Sequence, residues 1–255
     1  MKKLLIIKTG TSFSSIVEQH GDFEDMIIRT SGISAEDVVI ANVYDDMTSL
    51  PSTEQIAAII ITGSHAMVTE REEWSIQLMQ WLRDIRYMQI PTLGICYGHQ
   101  LIAEAFGGKV GDHPKGMEIG TTKIQLTEEG SQDRLLAILH DTFYGHVTHR
   151  QTVLELPKEA RVLAYNQFEP YHAYVIDNHI WGIQFHPEFS EEIMRVYIDQ
   201  QQEKLLAEGH SIRALHQSVC DHPFGRFLLD HFINLTELHV TSPSIGWTIF
   251  ANTGE

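Results

Sequence analysis

The chain has 255 residues, of which 43% are hydrophobic and 20% charged, and its 34 acidic and 18 basic residues give a net charge of −16. This composition predicts a globular protein with a sizeable core, and so acidic a surface argues against nucleic acid or a membrane as the main partner. The two cysteines, Cys96 and Cys220, are too few for a disulfide framework and indicate a reducing compartment, the cytoplasm.

Short apolar runs without polar alternation recur in the first part of the chain, and such runs predict strands that are buried on both faces of a parallel sheet. The runs are residues 4–7 (LLII), 38–44 (VVIANVY), 57–62 (AAIIIT) and 91–96 (PTLGIC). The first run ends at Lys8 without a small-residue cleavage site, so we interpret it as a strand and not as a signal peptide. No apolar run reaches the roughly 20 residues that a membrane span needs.

Apolar residues at helical spacing predict helices in the rest of the chain, at residues 75–87, 98–106, 191–206 and 224–238. Residues 117–126 and 152–185 are richer in strand signals. These elements predict an α/β fold with a mostly parallel central sheet flanked by helices. We expect residues 1–190 to form the main domain and residues 191–255 to form a C-terminal helical extension packed on it.

Cys96 stands at a predicted junction between a strand and a helix, in the pattern Gly-x-Cys-x-Gly. This is the pattern of a nucleophile elbow, because the strained, closely approached turn needs small residues on both sides. The N-terminus of the following helix favours the thiolate over the thiol. A buried structural thiol stays an alternative for this pentapeptide taken alone.

A thiol nucleophile needs a base, and the base needs an orienting group. His186 and Glu188 flank Pro187 directly after an apolar strand pattern. Pro187 favours an extended backbone at His186, and side chains two residues apart in an extended chain point to the same side. We therefore expect Glu188 to hold one ring nitrogen of His186 while the other faces Cys96. The alternative is a solvated strand end with incidental polar residues.

Three segments together carry a family resemblance: GICYGHQLIAEAFGGKV (94–110), GIQFHPEFS (182–190) and ITGS (61–64). They resemble the class I glutamine amidotransferases with a Cys-His-Glu triad, and the resemblance spans roughly residues 1–190. It is strongest to the glutaminase domain of GMP synthases and to stand-alone GMP-synthase-like amidotransferases, a group that includes γ-glutamyl peptidases. The resemblance implies a flavodoxin-like fold for this class I amidotransferase domain.

The resemblance also implies a role for each triad residue. Cys96 would attack the side-chain amide carbon of glutamine. His186 would take the thiol proton and give it to the departing ammonia, and Glu188 would orient His186. One oxyanion donor would be the backbone N–H of Tyr97. The second would come from the loop at Gly63 and Ser64, where relatives usually carry another glycine in place of Ser64.

Substrate-binding residues are also implied by the resemblance. Gln100 and Gly98, on the first turn of the elbow helix, match positions that line the glutamine pocket. Thr148 and His149 match the start of a Ser-His-Gly-Asp-like segment that holds the α-amino and α-carboxylate groups. In that segment Arg150 and Gln151 replace the glycine and the aspartate. A lost carboxylate weakens capture of an ammonium and a gained arginine favours a carboxylate, so a γ-glutamyl conjugate is an alternative substrate to free glutamine.

No cofactor or metal is expected. His146 and His149 have an H-x-x-H spacing, but no third ligand is evident near them. No G-x-G-x-x-G or Walker-type loop occurs, and Cys220 lies outside any elbow pattern.

The sequence therefore predicts a glutaminase-type hydrolase that cleaves the γ-amide of glutamine through a cysteinyl thioester and releases ammonia. The segment after residue 190 is too short for the ATP pyrophosphatase domain of a GMP synthase, so an amidotransferase would need a separate synthetase subunit as its partner. A stand-alone γ-glutamyl peptide hydrolase is the alternative. A catalytically idle regulatory subunit is less favoured. Other thiol-dependent flavodoxin-like enzymes are also less favoured, because they carry histidine directly after the cysteine, where this chain has Tyr97.

Overall fold

Helices cover both faces of one central sheet in the computed structural model, which describes residues 2–236 and residue 238. In chain order the strands are β1 (Lys3–Lys8), β2 (Val38–Asn42), β3 (Ile56–Ile61), β4 (Thr92–Ile95), β5 (Lys109–Asp112), β6 (Glu118–Leu126), β7 (Thr142–His149), β8 (Gln151–Glu155), β9 (Arg161–Tyr165), β10 (Ala173–Ile176) and β11 (Ile180–Ile183). The helices are α1 (Ser14–His20), α2 (Phe23–Ser31), α3 (Glu73–Ile85), α4 (Tyr97–Ala105), α5 (Glu128–Ser131), α6 (Glu191–Gln200), α7 (Gln202–Ala207), α8 (Ile212–Ser218) and α9 (Phe224–Asn234).

The central sheet has nine strands in the order β2-β1-β3-β4-β11-β10-β9-β6-β7, and β5 pairs with β8 in a separate two-stranded sheet. Pairings from β2 to β11 are parallel, and pairings from β11 to β7 are antiparallel. The predicted α/β fold with its parallel strands and flanking helices is confirmed. In the antiparallel half, β6, β9 and β10 lie in the regions that the sequence predicted only as rich in strands, whereas β7 lies outside both regions and was not predicted.

Strands β1 to β4 coincide with the four apolar runs of the sequence, and burial on both faces explains the lack of alternation in β1, β3 and β4, whereas the edge strand β2 is mostly only partly buried. All six residues of β3 and all four of β4 are buried. Since β3, β4 and β11 are neighbours and parallel, their carboxyl ends meet at one edge of the sheet. In open α/β sheets, ligands bind at such edges.

The predicted helices agree with α3 and α4, but the C-terminal part differs from the prediction. Residues 191–206 form two helices that meet at Gln201, and a further helix, α8, lies between the two predicted helices 191–206 and 224–238. The last predicted helix, 224–238, ends at Asn234, and part of its predicted range lies outside the described residues. α6 packs against β6 and β7, and α9 packs against α2 and β7. The division of the chain at residue 190 stays a prediction.

Local capping explains α2, which the sequence reading did not predict. Asp22 accepts a hydrogen bond from the backbone of Phe23, Asp25 accepts one from the backbone N–H of Asp22, and Gly32 ends the helix in the left-handed region. Within the described part of the chain, no helix is long and apolar enough to cross a lipid bilayer.

Candidate active site

Cys96 occupies the sharp turn between β4 and α4, with φ 50° and ψ −95°. Its backbone N–H donates to the carbonyl of Ile183 at 2.8 Å, which ties the turn to β11. The two neighbouring glycines are required by packing: a Cβ at Gly94 would lie 2.5 Å from the carbonyl carbon of Gly98, and a Cβ at Gly98 would lie 2.6 Å from the carbonyl oxygen of Ile61. The predicted elbow geometry therefore depends on close contact between α4 and the strands β3 and β4.

His186 lies just beyond the end of β11 and is held from several sides. Its backbone N–H donates to the carbonyl of His146 at 2.8 Å, and its Nδ1 lies 2.8 Å from Oε1 of Glu188. Its ring stacks on Phe189 with centroids 4.1 Å apart. On another side, a Cβ at Gly63 would lie 2.9 Å from Cε1 of His186. These contacts leave the imidazole little freedom to rotate.

The charges around His186 favour its protonated form. Burial lowers the pKa of His186, but the neighbouring Glu188 carboxylate and Cys96 side chain outweigh burial and raise the pKa to about 10. His186 Nε2 has no hydrogen-bond partner among the residues that the structure describes. Cys96 is 7% exposed, and its Sγ lies 3.9 Å from the carbonyl oxygen of Thr148. The arrangement suits a thiolate and imidazolium pair oriented by a carboxylate.

Buried threonines shape the loop after β3. Thr9 Oγ1 donates to the carbonyl of Thr62 at 3.0 Å or of Gly63 at 3.1 Å, and the backbone N–H of Thr9 donates to Thr62 Oγ1. The Ser64 side chain fits against Gly10, where a Cβ would come within 3.0 Å of the Ser64 Cβ. Ser64 Oγ accepts from the backbone N–H of Ala66, so the hydroxyl is used within the loop.

The segment from residue 148 to 151 is held mainly by its side chains. Gln201 Nε2 donates to Thr148 Oγ1 at 3.0 Å, and Arg150 forms an ion pair with Glu208. Gln151 Nε2 donates to Thr69 at 2.7 Å and to Asp112 at 3.1 Å. The other amide atom, Gln151 Oε1, is buried without a hydrogen-bond partner among the described residues.

His149 is buried with both ring nitrogens engaged by the protein. Nδ1 lies 3.0 Å from the carbonyl of Gln151, and Nε2 lies 3.0 Å from Oε2 of Glu118. His172 Nε2 approaches the same carboxylate oxygen at 3.4 Å. Burial raises the pKa of Glu118, but the two histidines outweigh this effect and hold the pKa well below its ordinary value. Any contact of His149 with substrate would therefore use its backbone.

Gln100 is also engaged internally, through the nitrogen of its side-chain amide. Gln100 Nε2 donates to the carbonyl of Gln151 at 2.7 Å and to Gln184 Oε1 at 3.0 Å. Gly98 faces β3 through its contact with Ile61. The substrate-binding roles expected for Gln100 and Gly98 stay predictions.

One cavity of about 250 Å³ collects most of the predicted site residues. Those that line it are Ser64, Cys96, Tyr97, Gln100, Thr148, His149 and His186. Glu188 lies outside the lining, in contact with His186, and Gly63 and Gly98 are also outside it. In the described part of the chain, no group of three or more His, Cys, Asp or Glu side chains is arranged to hold a metal ion.

The sequence reading missed the cavity residues that lie outside the motifs. They are Phe13, Phe23, His65, Ala66, Met67, Met117, Tyr197, Gln200, Gln201 and Lys204. The last four come from α6, α7 and the residue between them, in the segment expected to be an extension. A signal was present there, because Tyr197, Gln201 and Lys204 are spaced by four and three residues, as on one helix face.

Comparison with known proteins identifies relatives along most of the chain. A model of the class I glutamine amidotransferase family matches residues 15–201. A glutamine amidotransferase-like protein of Schizosaccharomyces pombe is 28% identical, with 82% of this chain and 92% of that protein aligned. Gamma-glutamyl peptidase 4 of Arabidopsis thaliana is 28% identical, with 82% and 83% aligned.

A longer enzyme and a solved structure extend the comparison. The glutamine-hydrolysing GMP synthase of Aeropyrum pernix is 31% identical over 72% of this chain, which spans only 32% of that enzyme. The crystal structure of a glutamine amidotransferase from Methylobacillus flagellatus superposes with a TM-score of 0.73 at 21% identity. That superposition covers 93% of this chain and 96% of the other, and it supports the same fold.

Proposed function

Because the chain belongs to the class I glutamine amidotransferase family, we propose that it hydrolyses the γ-amide bond of glutamine or of a γ-glutamyl compound through a thioester on Cys96. One observation carries the proposal. Cys96 and His186 line the same cavity, and Glu188 Oε1 lies 2.8 Å from Nδ1 of His186. A nucleophile, a base and an orienting carboxylate are thus available together.

Acylation forms the C–S bond and breaks the C–N bond. The Cys96 thiolate attacks the γ-carbonyl carbon, and the carbonyl π electrons move to the oxygen to give a tetrahedral oxyanion. His186, which carries the thiol proton on Nε2, gives this proton to the departing nitrogen as the C–N bond breaks. Ammonia or an amine leaves, and the γ-glutamyl group remains on Cys96 as a thioester.

Deacylation uses the same residues in the opposite sense. Neutral His186 takes a proton from water, and the oxygen of that water attacks the thioester carbon. The C–S bond breaks and glutamate leaves. Protonated His186 is then again paired with the Cys96 thiolate, as before the reaction. Glu188 holds the tautomer of His186 through Nδ1.

Two backbone N–H groups are available for the developing oxyanion, those of Tyr97 and Ser64. Neither N–H makes a hydrogen bond to another group in the described part of the chain. The N–H of Tyr97 belongs to the first turn of α4, where the helix leaves its donors unused. Donors that are fixed before the reaction stabilise the charge that develops in the transition state.

The γ-glutamyl group also carries an α-ammonium, and Gln151 offers it an acceptor. Gln151 lines the cavity, and its buried Oε1 lacks a partner among the described residues because Nε2 is held by Thr69 and Asp112. A neutral amide oxygen can accept a hydrogen bond from an ammonium, although more weakly than a carboxylate. Gln151, where the sequence predicts weaker capture of an ammonium, thus still offers a hydrogen-bond acceptor.

A second candidate is an amidotransferase subunit that passes ammonia to a separate synthetase. It is favoured by the identity of 31% to the glutamine-hydrolysing GMP synthase of Aeropyrum pernix over 72% of this chain. Both candidates use the same triad and differ in the leaving group and in the need for a partner.

The test is the release of ammonia or amine by the purified chain, supplied with glutamine or with a panel of γ-glutamyl peptides. A glutamine-like electrophile is added in parallel, and the site of labelling is identified by mass spectrometry. We expect turnover that Cys96→Ala abolishes, and labelling at buried Cys96 in preference to the more exposed Cys220. Equal turnover by Cys96→Ala, or labelling of Cys220 alone, would contradict the proposal. Labelling of Cys96 without turnover would favour the synthetase-dependent candidate.

A further inference from the structure

The first turn of α9 packs directly on the His-Pro-Glu segment, residues 186–188. α9 lies beyond residues 15–201, which match the family model. A Cβ at Gly225 would clash with the carbonyl oxygen of Pro187 and would lie 2.8 Å from its carbonyl carbon and 2.9 Å from its Cα. Only a glycine therefore lets the backbone of α9 approach so close to Pro187.

The backbone conformation at Gly225 does not itself require a glycine. Gly225 belongs to α9, and its φ lies outside the left-handed region. A glycine inside a helix is less favourable than an alanine. The close contact with Pro187 is therefore the feature for which this glycine is needed.

The position of the Glu188 carboxylate depends on the backbone that carries it. Glu188 Oε1 lies 2.8 Å from Nδ1 of His186, whereas Oε2 is buried and has no hydrogen-bond partner among the described residues. Within that part of the chain, no second side-chain hydrogen bond fixes the carboxylate. Its distance from the imidazole therefore follows from the backbone between the two residues, which is Pro187, where α9 packs.

α9 also supports the residue that precedes His186. The ring of Phe224 lies 6.0 Å from that of Phe143, and Phe143 lies 5.5 Å from Phe185 between centroids. Phe185 is the residue directly before His186. The first turn of α9 thus supports the chain on both sides of His186, through these rings before it and at Pro187 after it.

A third contact runs through α2, against which α9 packs. The Thr30 hydroxyl of α2 donates to the backbone carbonyl of Glu188 at 3.4 Å. The ring of Phe23, also in α2, stacks with His186 with centroids 6.3 Å apart. Side chains of α2 and α9 belong to one hydrophobic core cluster. α9 therefore also supports the helix that contacts both His186 and Glu188.

We infer that α9 is a positioning element of the triad, which fixes Pro187 through Gly225 and thereby holds Glu188 against His186. The inference rests on the proposed function, in which this pair serves Cys96. No residue of α9 is among the described residues that line the cavity, so α9 acts through the triad and not through contact with substrate. It gives a part of the chain beyond the family match a role in catalysis.

The test compares the wild type with Gly225→Ala. The added methyl group must displace Pro187 or α9, which weakens the contact between Glu188 and His186. We expect kcat on the γ-glutamyl substrates to fall by about threefold to tenfold while KM stays unchanged. The basic limb of the pH profile of kcat/KM should move to lower pH, because the carboxylate then favours protonated His186 less.

The control for a general loss of stability is Ile56→Ala. Ile56 is buried at the start of β3, at the end of the sheet opposite to the triad. Its truncation leaves a cavity in the core and should lower the denaturation midpoint at least as much as Gly225→Ala does. It should leave kcat and the pH profile unchanged.

A second readout does not need turnover. In protein with carbon-13-labelled histidine, the NMR signal of His186 is assigned with His186→Ala, and its titration gives the pKa of His186, which is about 10 in the wild type. The titratable groups near His186 are Cys96, Glu188, His65 and His146, and Gly225→Ala changes none of them. Gly225→Ala should lower the pKa of His186, and Ile56→Ala should not.

A double variant tests whether α9 acts through Glu188. In the Glu188→Gln background, Gly225→Ala should lower kcat no further, because both changes affect one contact. A fully additive loss would place the effect elsewhere and overturn the inference. The same shift in Ile56→Ala, or an unchanged His186 titration in Gly225→Ala, would overturn it too.

Phe224→Leu takes the place of Gly225→Ala if that variant does not fold. It removes the ring contact to Phe143 with little change in volume, and it should lower the pKa of His186 in the same direction. An unchanged His186 titration in Phe224→Leu would then overturn the inference. A wild type without turnover on any substrate would instead overturn the proposed function, and the His186 titration would still decide whether α9 positions the pair.

Discussion

His186 and Glu188 meet across Pro187, with Nδ1 and Oε1 2.8 Å apart and both side chains almost completely buried. A buried charge is tolerated when it is paired and hydrogen-bonded, and here each group supplies the partner of the other. The pair therefore sets both the orientation and the protonation of the imidazole.

We predict that Glu188→Gln lowers kcat less than His186→Ala does, about tenfold against about a thousandfold, because the base itself remains. The carboxylate of Glu188 helps raise the pKa of His186 to about 10, so protonated His186 persists as pH rises towards that value. Without this charge His186 loses its proton at lower pH. The basic limb of the pH profile of kcat/KM should therefore move to lower pH in Glu188→Gln. An unchanged basic limb, or a larger loss than in His186→Ala, would contradict these roles.

We predict that Gly63→Ala lowers kcat by about tenfold or more while the protein stays folded. A Cβ there would come within 2.9 Å of Cε1 of His186 and would displace the ring, and small displacements of a catalytic group are costly. The control is Gly209→Ala, which adds a methyl group in open space at φ +86°. It should lose only about 1–2 kcal/mol of stability and keep kcat. Steady-state kinetics and thermal unfolding of both variants check this, and an unaltered kcat in Gly63→Ala would refute it.

We predict that Glu118→Gln destabilises the fold by about 3–5 kcal/mol, because it removes one partner of a buried charged group. Glu118 has a pKa below its ordinary value of 4.5, so its contribution is present above pH 4.5 and is lost as pH falls through the folded-state pKa. His149 has a pKa above its ordinary value of 6.5, so its contribution is present below pH 6.5 and is lost as pH rises through the folded-state pKa.

The difference in unfolding free energy between the wild type and Glu118→Gln should therefore be largest between about pH 4.5 and 6.5. Urea unfolding from pH 4.5 to 8 measures it. Glu129→Gln, a change at an exposed carboxylate, provides the control and should show a small difference at every pH. A pH-independent difference for Glu118→Gln would mean that packing, and not charge, is what Glu118 contributes.

We predict that Glu208→Gln lowers KM for γ-glutamylglycine by about two- to fivefold, because it releases the charge of Arg150 at the cavity without altering the triad. The effect should shrink as salt is added, since exposed charges are screened. KM measured at low and high ionic strength checks it, with γ-glutamylglycinamide as the uncharged comparison. A higher KM would indicate that the ion pair is needed to hold Arg150 and its segment in place.

The sequence by itself determined the parts of the molecule that depend on near neighbours in the chain. The apolar runs identified the parallel strands, and the glycines around Cys96 indicated the elbow, because a tight turn needs small residues at fixed offsets. The pairing of His186 with Glu188 followed from their separation of two residues across a proline. These features are encoded in local stereochemistry, which a sequence displays directly.

Only the tertiary structure decided which distant groups become partners. Arg150, expected from the sequence to favour a carboxylate, is paired with Glu208, while His149 is held by Glu118 and Gln151. Lys204 reaches the cavity from a segment that the sequence assigned to an extension. Such pairings depend on how helices and strands that are far apart in the chain pack together. This packing, and not the neighbouring residues in sequence, determines which side chains contact each other.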